Sequence, residues 1–427
     1  IKDNKPNWVF KSLLENNEEN VLDELNNFDF PVIRIKQYEV IRGNLSLISN
    51  GIKYEIKINN IILDAENSFN SITGEISIKD TDFSLNGSIS NKNDLNNSLF
   101  TMANKDIKLN FDGEIQYENY FPSFVGDLKT ELKNAESIAS IFNNSYINLI
   151  SEKTKFDSDL KVNFVEEDLF YSLNNINITS GSSILTGAIS GNSGKNSNLK
   201  IVLSSNNLNL DLVHKNIDKF LKIIETDNTS NNKSKNMWDE INGSLLLSIG
   251  TSKLLDYPIR DLVLDIKKDG IDYKLDKANA IFPGNTEINL TGDFKDNFRV
   301  FEGSTKLKSD NIKTFGTWIS FGFGNLSDTR FKKAELSSSV VFRKGGAIFA
   351  GLRGSIDSSK LNGEVRLRFL ENSSLSANLK IDRINFDPYL ESSSGNKKQF
   401  KDKDLTNYLD KIIMDVELDK ALFLEKQ

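Results

Sequence analysis

No cysteine occurs anywhere in the chain, and histidine occurs once, at His214. Disulfides, thiol catalysis and thiolate-bound zinc are therefore excluded. A metal site would have to be all oxygen, and no cofactor or metal is expected. Long apolar runs are also missing. None approaches the roughly 18 residues that a membrane-spanning helix needs, and no signal-peptide pattern is present. An excess of positive charge is missing too. The 53 Lys and Arg are spread among 60 Asp and Glu, for a net charge of −7. Without a basic face, nucleic acid is not expected as a partner. The chain opens on Ile1 and ends within a pattern (Asp415-Val-Glu-Leu-Asp-Lys), so it is expected to be part of something longer.

What is present is alternation. Ser373 to Leu390 reads SSLSANLKIDRINFDPYL. Leu375, Ala377, Leu379 and Ile381 share one side, the period of a half-buried strand. Asp387-Pro388 then predicts a helix start, with Asp as the cap and Pro at the first helical position. The same design recurs in Gly126 to Phe142, Ser197 to Val213 and Gly303 to Ile319. The polar steps fall at Asn134, Asn206, Asp310 and Asp382, spaced by 72, 104 and 72 residues. Thr154-Lys-Phe156 aligns with Thr329-Arg-Phe331 at an offset of 175. Gly187 aligns with Gly363, and Asp211 with Asp387, at an offset of 176. The chain is therefore read as a repeat.

The predicted organisation follows from these landmarks. Residues 1–30 carry an amphipathic helix, with Trp8, Leu13, Leu14, Val21, Leu22 and Leu25 at helical spacing. Residues 31–95 form a first β module, and 96–213 a second with a helix near 135–142. Residues 93–104 read as a loop or short helix. Residues 214–237 are a helix plus a polar linker. A third β module spans 238–320, with a short helix over 311–319, and a fourth spans 321–390. A polar linker follows at 391–404, and a further module starts at 405–427.

No motif carries catalytic chemistry. SGNSGKNS at 190–197 has Ile189 where a phosphate loop needs Gly, and Asn196 follows its Lys, so it reads as a turn. His214 lacks the context of a Ser/His/Asp triad. Acidic pairs such as Asp80/Asp82 and Glu166/Glu167 read as solvated charges. No enzyme is expected.

The notable residues are instead the apolar rows: Ile33, Ile35, Ile52, Tyr54, Ile56, Ile58, Leu160, Val162, Phe164, Leu203, Leu245, Leu247, Ile249, Leu262, Leu264, Ile266, Leu375, Leu379 and Ile381. Two architectures absorb them. In a sandwich or solenoid they form a dry core. In an open, curved sheet they line a trough that must be filled by a ligand, for which acyl chains are the natural occupant.

A resemblance favours the second. Residues 31–63 (PVIRIKQYEVIRGNLSLISNGIKYEIKINNIIL) resemble the opening of a module in the AsmA family of the bridge-like lipid transfer superfamily. Ser88-Ile89 closes a strand begun at Gly87 in the family's manner. Leu185-Thr-Gly187 and Leu361-Asn-Gly363 resemble its small turn before a long strand. LNLDLV (208–213) and INFDPYL (384–390) resemble its strand-to-helix endings. Trp238, Ala278, Ala280, Pro283 and Gly284 resemble the opening and core of its next module. The resemblance spans roughly residues 28–427. It implies a mainly β, elongated, repeat-built antiparallel sheet, curved into an open, apolar-floored, taco-like groove with a few short helices at module ends. It also implies a periplasmic protein of a Gram-negative bacterium, anchored to the inner membrane through an N-terminal helix that is not in this sequence. Such a protein would conduct phospholipid to the outer membrane and support its assembly, with phospholipid acyl chains and outer-membrane components as partners. The alternative is a scaffolding β-repeat protein, an adhesin or an assembly factor for outer-membrane proteins, with a dry core.

Overall fold

The computed structural model describes residues 36–49, 52–66, 69–78, 81–92, 95–118, 121–133, 153–165, 168–193, 197–211, 241–296, 298–319, 331–368, 373–385 and 411–422. The expected helices at 1–30 and 135–142, the helix and linker at 214–237, His214, Asp387-Pro388 and the linker at 391–404 lie outside the described residues. The fold is mainly β, with mostly antiparallel sheet and little helix. The chain divides into two compact units.

The first unit holds residues 1–130, 160–171 and 193–195. Its strands Gln37–Ser49 (β1), Ile52–Glu66 (β2), Phe69–Ile78 (β3), Thr81–Lys92 (β4), Leu95–Ala103 (β5) and Ile107–Glu118 (β6) pair in sequence order, each antiparallel to the last. In β2 the apolar residues run Ile56, Ile58 and then Ile61, Leu63. That break of parity coincides with a β-bulge between Ile58 and Asn60. The bulge adds one residue, so Ile61 and Leu63 return to the face of Ile56 and Ile58. Across the strands this face carries Leu63, Ile72, Gly87, Phe100 and Phe111 as successive neighbours.

The strand β5 corrects the reading of 93–104 as a loop or short helix. Its asparagine-rich start, NDLNN, hid the alternation of Phe100 and Met102. Pairing on both sides decides it: Phe100 faces Gly87 and Phe111, and Met102 faces Leu85 and Leu109. Sheet neighbours override weak local propensity.

Phe121–Leu132 (β7), Thr154–Val165 (β8) and Asp168–Ser180 (β9) contribute residues to both units. The second unit holds residues 131–159, 172–192 and 196–427, with the short strand Ile384–Asn385 (β21) outside its main ladder. Its ladder runs through Ser183–Ser193 (β10), Asn198–Asn209 (β11), Asn242–Leu254 (β12), Tyr257–Asp269 (β13), Asp272–Phe282 (β14), Thr286–Lys295 (β15), Val300–Ser309 (β16), Ala334–Arg343 (β17), Gly346–Ile356 (β18), Ser359–Arg368 (β19), Ser374–Ile381 (β20) and Lys411–Leu418 (β22). Nearly every neighbouring pair is antiparallel. The exceptions are β11–β12 and β20–β22, which are parallel. Parallel neighbours need a long crossover, and the segments between these strands are 209–242 and 381–411. A uniformly antiparallel sheet was expected, so these two joints are a correction.

The 176-residue repeat has a structural counterpart. Gly187 on β10 pairs with Leu203 on β11, and Gly363 on β19 pairs with Leu379 on β20. Their φ angles are +156° and +151°. A Cβ would lie 2.0 Å from the Val202 carbonyl oxygen at the first and 2.0 Å from that of Asn378 at the second. All three positions keep the same offset. Both β11 and β20 are then followed by a parallel strand. Neither glycine sits in a turn, contrary to the sequence reading. Each is mid-strand, where it lets neighbouring backbones close up.

Leu210 and Asp211, directly after β11, are helical, as the strand-to-helix reading of 208–213 expected, and Ile312–Trp318 (α1) is the helix described over its whole length in this unit. It confirms the helix expected over 311–319. The side chain of Asn311 caps it by accepting from the Thr314 amide at 3.1 Å. Asp310, the polar step, accepts from the Asn285 side chain at 2.5 Å. Phe315 and Trp318 pack on Phe282 at centroid distances of 5.9 and 5.5 Å, which ties the helix to β14.

Charges occupy the face opposite the apolar one. Asp276 bridges Lys267 at 2.6 Å and Lys274 at 3.0 Å. The hydrogen bond from Lys267 leads in holding the Asp276 carboxyl below its usual range. Asp382 is likewise lowered, chiefly by the Lys360 amide, which donates to it at 2.7 Å. A depressed folded-state value means the stabilisation is present above the unfolded carboxylate value, near about 3.9, and is lost as pH falls through the folded one. Urea midpoints should therefore drop modestly as pH is lowered below the ordinary aspartate range. Asp276→Asn should flatten that acid limb and leave little difference from the parent at its lower end.

Candidate functional site: an apolar sheet face

Within the second unit, register places the apolar side chains on one face. Leu203 neighbours Leu247, which neighbours Leu264. Leu245 faces Ile266, and Ile249 faces Leu262. Farther along, Leu375, Leu379 and Ile381 neighbour Leu367, Gly363 and Leu361 on one side. On the other they neighbour Ile412, Val416 and Leu418. Between these groups, each strand hands the face on. Ile266 faces Leu275, Leu275 faces Gly292, Gly292 faces Gly303, and Gly303 faces Val340. Val340 then faces Phe349, Phe349 faces Val365, and Val365 faces Ala377. The expected second-unit residues thus all share this face.

In the first unit, Ile56 and Ile58 share the face described above. Ile52 and Tyr54 lie on β2 in the same alternation. Leu160, Val162 and Phe164 alternate along the part of Thr154–Val165 (β8) that belongs to this unit, and all three are half-buried. Ile33 and Ile35 lie outside the described residues.

Burial varies along this face. Of the expected residues whose side chains are described, Ile249 alone is fully buried, at 2% exposure. The others, from Ile56 to Ile381, are half-buried. Full coverage would drive most of such a row to a few per cent exposure.

The tightest packing lies elsewhere on the same face. Leu275, Phe301 and Val340 are almost fully buried, with Leu264, Ile266, Ala278, Leu290, Phe294 and Phe349 against them. Aromatic rings run through this cluster. Tyr273 and Phe298 are 4.3 Å apart, Phe298 and Phe294 5.0 Å, Phe294 and Phe301 4.9 Å, and Phe301 and Phe342 5.9 Å. The Phe301 ring lies over the paired glycines, Gly292 and Gly303. A Cβ on either would come within 2.8 or 2.9 Å of its Cζ atom. The glycines leave a gap in the face and the ring fills it. Sequence reading missed these aromatics because Gly303 and Thr305 interrupt the alternation of Phe301 with Leu307. Phe294, Phe301 and Phe349, each mid-pattern beside a glycine or a small residue, were the available signal.

At the end of the sheet where β12 begins and β13 turns into β14, the face opens into a cavity of about 320 Å³. Leu199, Ile201, Leu245, Ile266, Tyr273 and Phe298 give it apolar walls, and Lys268 joins the lining. The Lys268 ammonium donates to the Ile241 carbonyl at 2.7 Å and to that of Gly270, and lies 5.5 Å from the Tyr273 ring centroid. That volume suits a segment of an apolar chain, and the positive charge sits at its polar margin.

Among the described residues, no group of three or more His, Asp or Glu side chains is placed to hold a metal. No described helix is long and apolar enough to cross a membrane. Comparison with known proteins found no match to any family model, curated protein or solved structure.

Proposed function

We propose that this chain is a non-enzymatic lipid-binding protein that holds phospholipid acyl chains along the apolar face of its sheet. The half-burial of the apolar row carries this reading. An apolar surface of this extent, left uncovered, calls for a partner of the same polarity. Acyl chains fit because they are apolar, extended and indifferent to side-chain sequence. The sheet's curvature into an open groove belongs to this proposal, as does passage of phospholipid along it between an inner and an outer membrane. So do a periplasmic location, an anchor in the inner membrane and a role in outer-membrane assembly, all of which rest on the AsmA-like sequence patterns.

Mass spectrometry of the purified chain under native conditions tests the proposal. Several phospholipids per chain are expected. A well-folded, lipid-free protein would overturn it and favour a scaffolding β array with a self-covered core.

A further inference from the structure

The polar face of the second unit holds a second concavity, of about 620 Å³, over β15 to β19. Its lining includes Lys306, Lys308, Arg353 and Lys360, against Glu287 and Glu335. The balance is two positive charges, in a chain whose net charge is −7.

Register shows how these charges are distributed. One cross-strand row reads Glu287, Lys308, Glu335, Ser355, Lys360, so Lys308 stands between two acids. The adjacent row reads Asn289, Lys306, Ser337, Arg353, Asn362 and contains no acid. The next row on its other side reads Thr291, Ser304, Ser339, Ala350, which is neutral. Lys306 and Arg353 therefore stand two strands apart, about 10 Å between backbones, with only a serine between them. Both are exposed. No ion pair or hydrogen bond engages either charged group among the described residues. On the same face Lys267, Lys274 and Lys295 are each paired to a carboxylate.

Two uncompensated cations within reach of one point suit an oxyanion that accepts several charge-assisted hydrogen bonds. We infer that the concavity around Lys306 and Arg353 binds a phosphate group of a larger ligand. This site lies on the face opposite the apolar row and stands independently of the acyl-chain reading.

Isothermal titration of the full chain with inorganic pyrophosphate is the first arm of the test. Binding is expected, weakened by about tenfold or more in Lys306→Gln/Arg353→Gln. The thermal midpoint should not change, since both side chains are exposed. Lys267→Gln/Lys274→Gln, which removes paired lysines, should leave binding as it was. The second arm is sedimentation with phosphatidylglycerol vesicles against phosphatidylcholine vesicles. Capture by the former alone, lost in the same double variant, assigns the phosphate to an anionic lipid headgroup. Pyrophosphate binding without vesicle capture assigns it to a soluble phosphate compound. Leu247→Asp, on the opposite face, should leave pyrophosphate binding intact whatever becomes of acyl-chain binding. If neither probe binds, or binding persists undiminished in the double variant, the inference is overturned.

Discussion

Gly363→Ala should destabilise the second unit by about 3 kcal/mol, and Gly187→Ala by about the same amount. Two costs add at each position. The φ angles of +151° and +156° are ones a side chain rarely tolerates. The new Cβ would also press on the carbonyl oxygen of Asn378 or Val202, 2.0 Å away in either case. Both obstacles are backbone inside a paired ladder, so relief means breaking sheet hydrogen bonds. Urea unfolding followed by circular dichroism measures the loss. Gly270→Ala supplies the comparison: its φ is +56°, but nothing lies within 4 Å of a built Cβ. It should cost only the strain, about 1 kcal/mol. A near-neutral Gly187→Ala beside a costly Gly363→Ala would refute the structural equivalence of the two repeats.

Leu247→Asp should strip most of the bound phospholipid from the purified chain. Leu247 is half-buried on β12, between Leu203 and Leu264, in the middle of the apolar row. A carboxylate there would interrupt the surface on which acyl chains lie. The accompanying loss of stability should be about 1–2 kcal/mol, because water can reach the charge. Val340→Asp is the contrast. Val340 is 1% exposed within the Leu275–Phe301 cluster, and an unpaired charge there should cost about 4 kcal/mol or more. Equal, severe destabilisation by both substitutions would mean that Leu247 is covered by protein and would remove the basis for lipid binding.

Strands were legible wherever alternation was regular. Leu245, Leu247 and Ile249 alternate without interruption, and β12 lies where the pattern puts it. The helix α1 was legible through apolar spacing behind a polar step. Legibility failed where glycine or asparagine replaced an apolar residue. Asn96 and Asn97 disguised β5, and Gly292 and Gly303 disguised the aromatic cluster. At the glycines the missing apolar atoms come from aromatic rings across the ladder, the Phe100 ring of the neighbouring strand beside Gly87 and the Phe301 ring over Gly292 and Gly303. A single strand's sequence carries no trace of that.

The sequence by itself determined that this is a β-repeat chain without thiol chemistry, with one apolar and one charged row on each strand. Period-two alternation depends only on backbone geometry, so it can be read locally. Only the tertiary structure decided how the rows join. The bulge at Ile58–Asn60 keeps the row on one face although its parity changes in sequence. The parallel joints at β11–β12 and β20–β22 mark where a repeat ends. The acid-free row of Lys306 and Arg353 exists only because residues more than forty positions apart are brought into register. Each of these depends on which strand lies beside which, and pairing over such separations is set by the packed sheet as a whole.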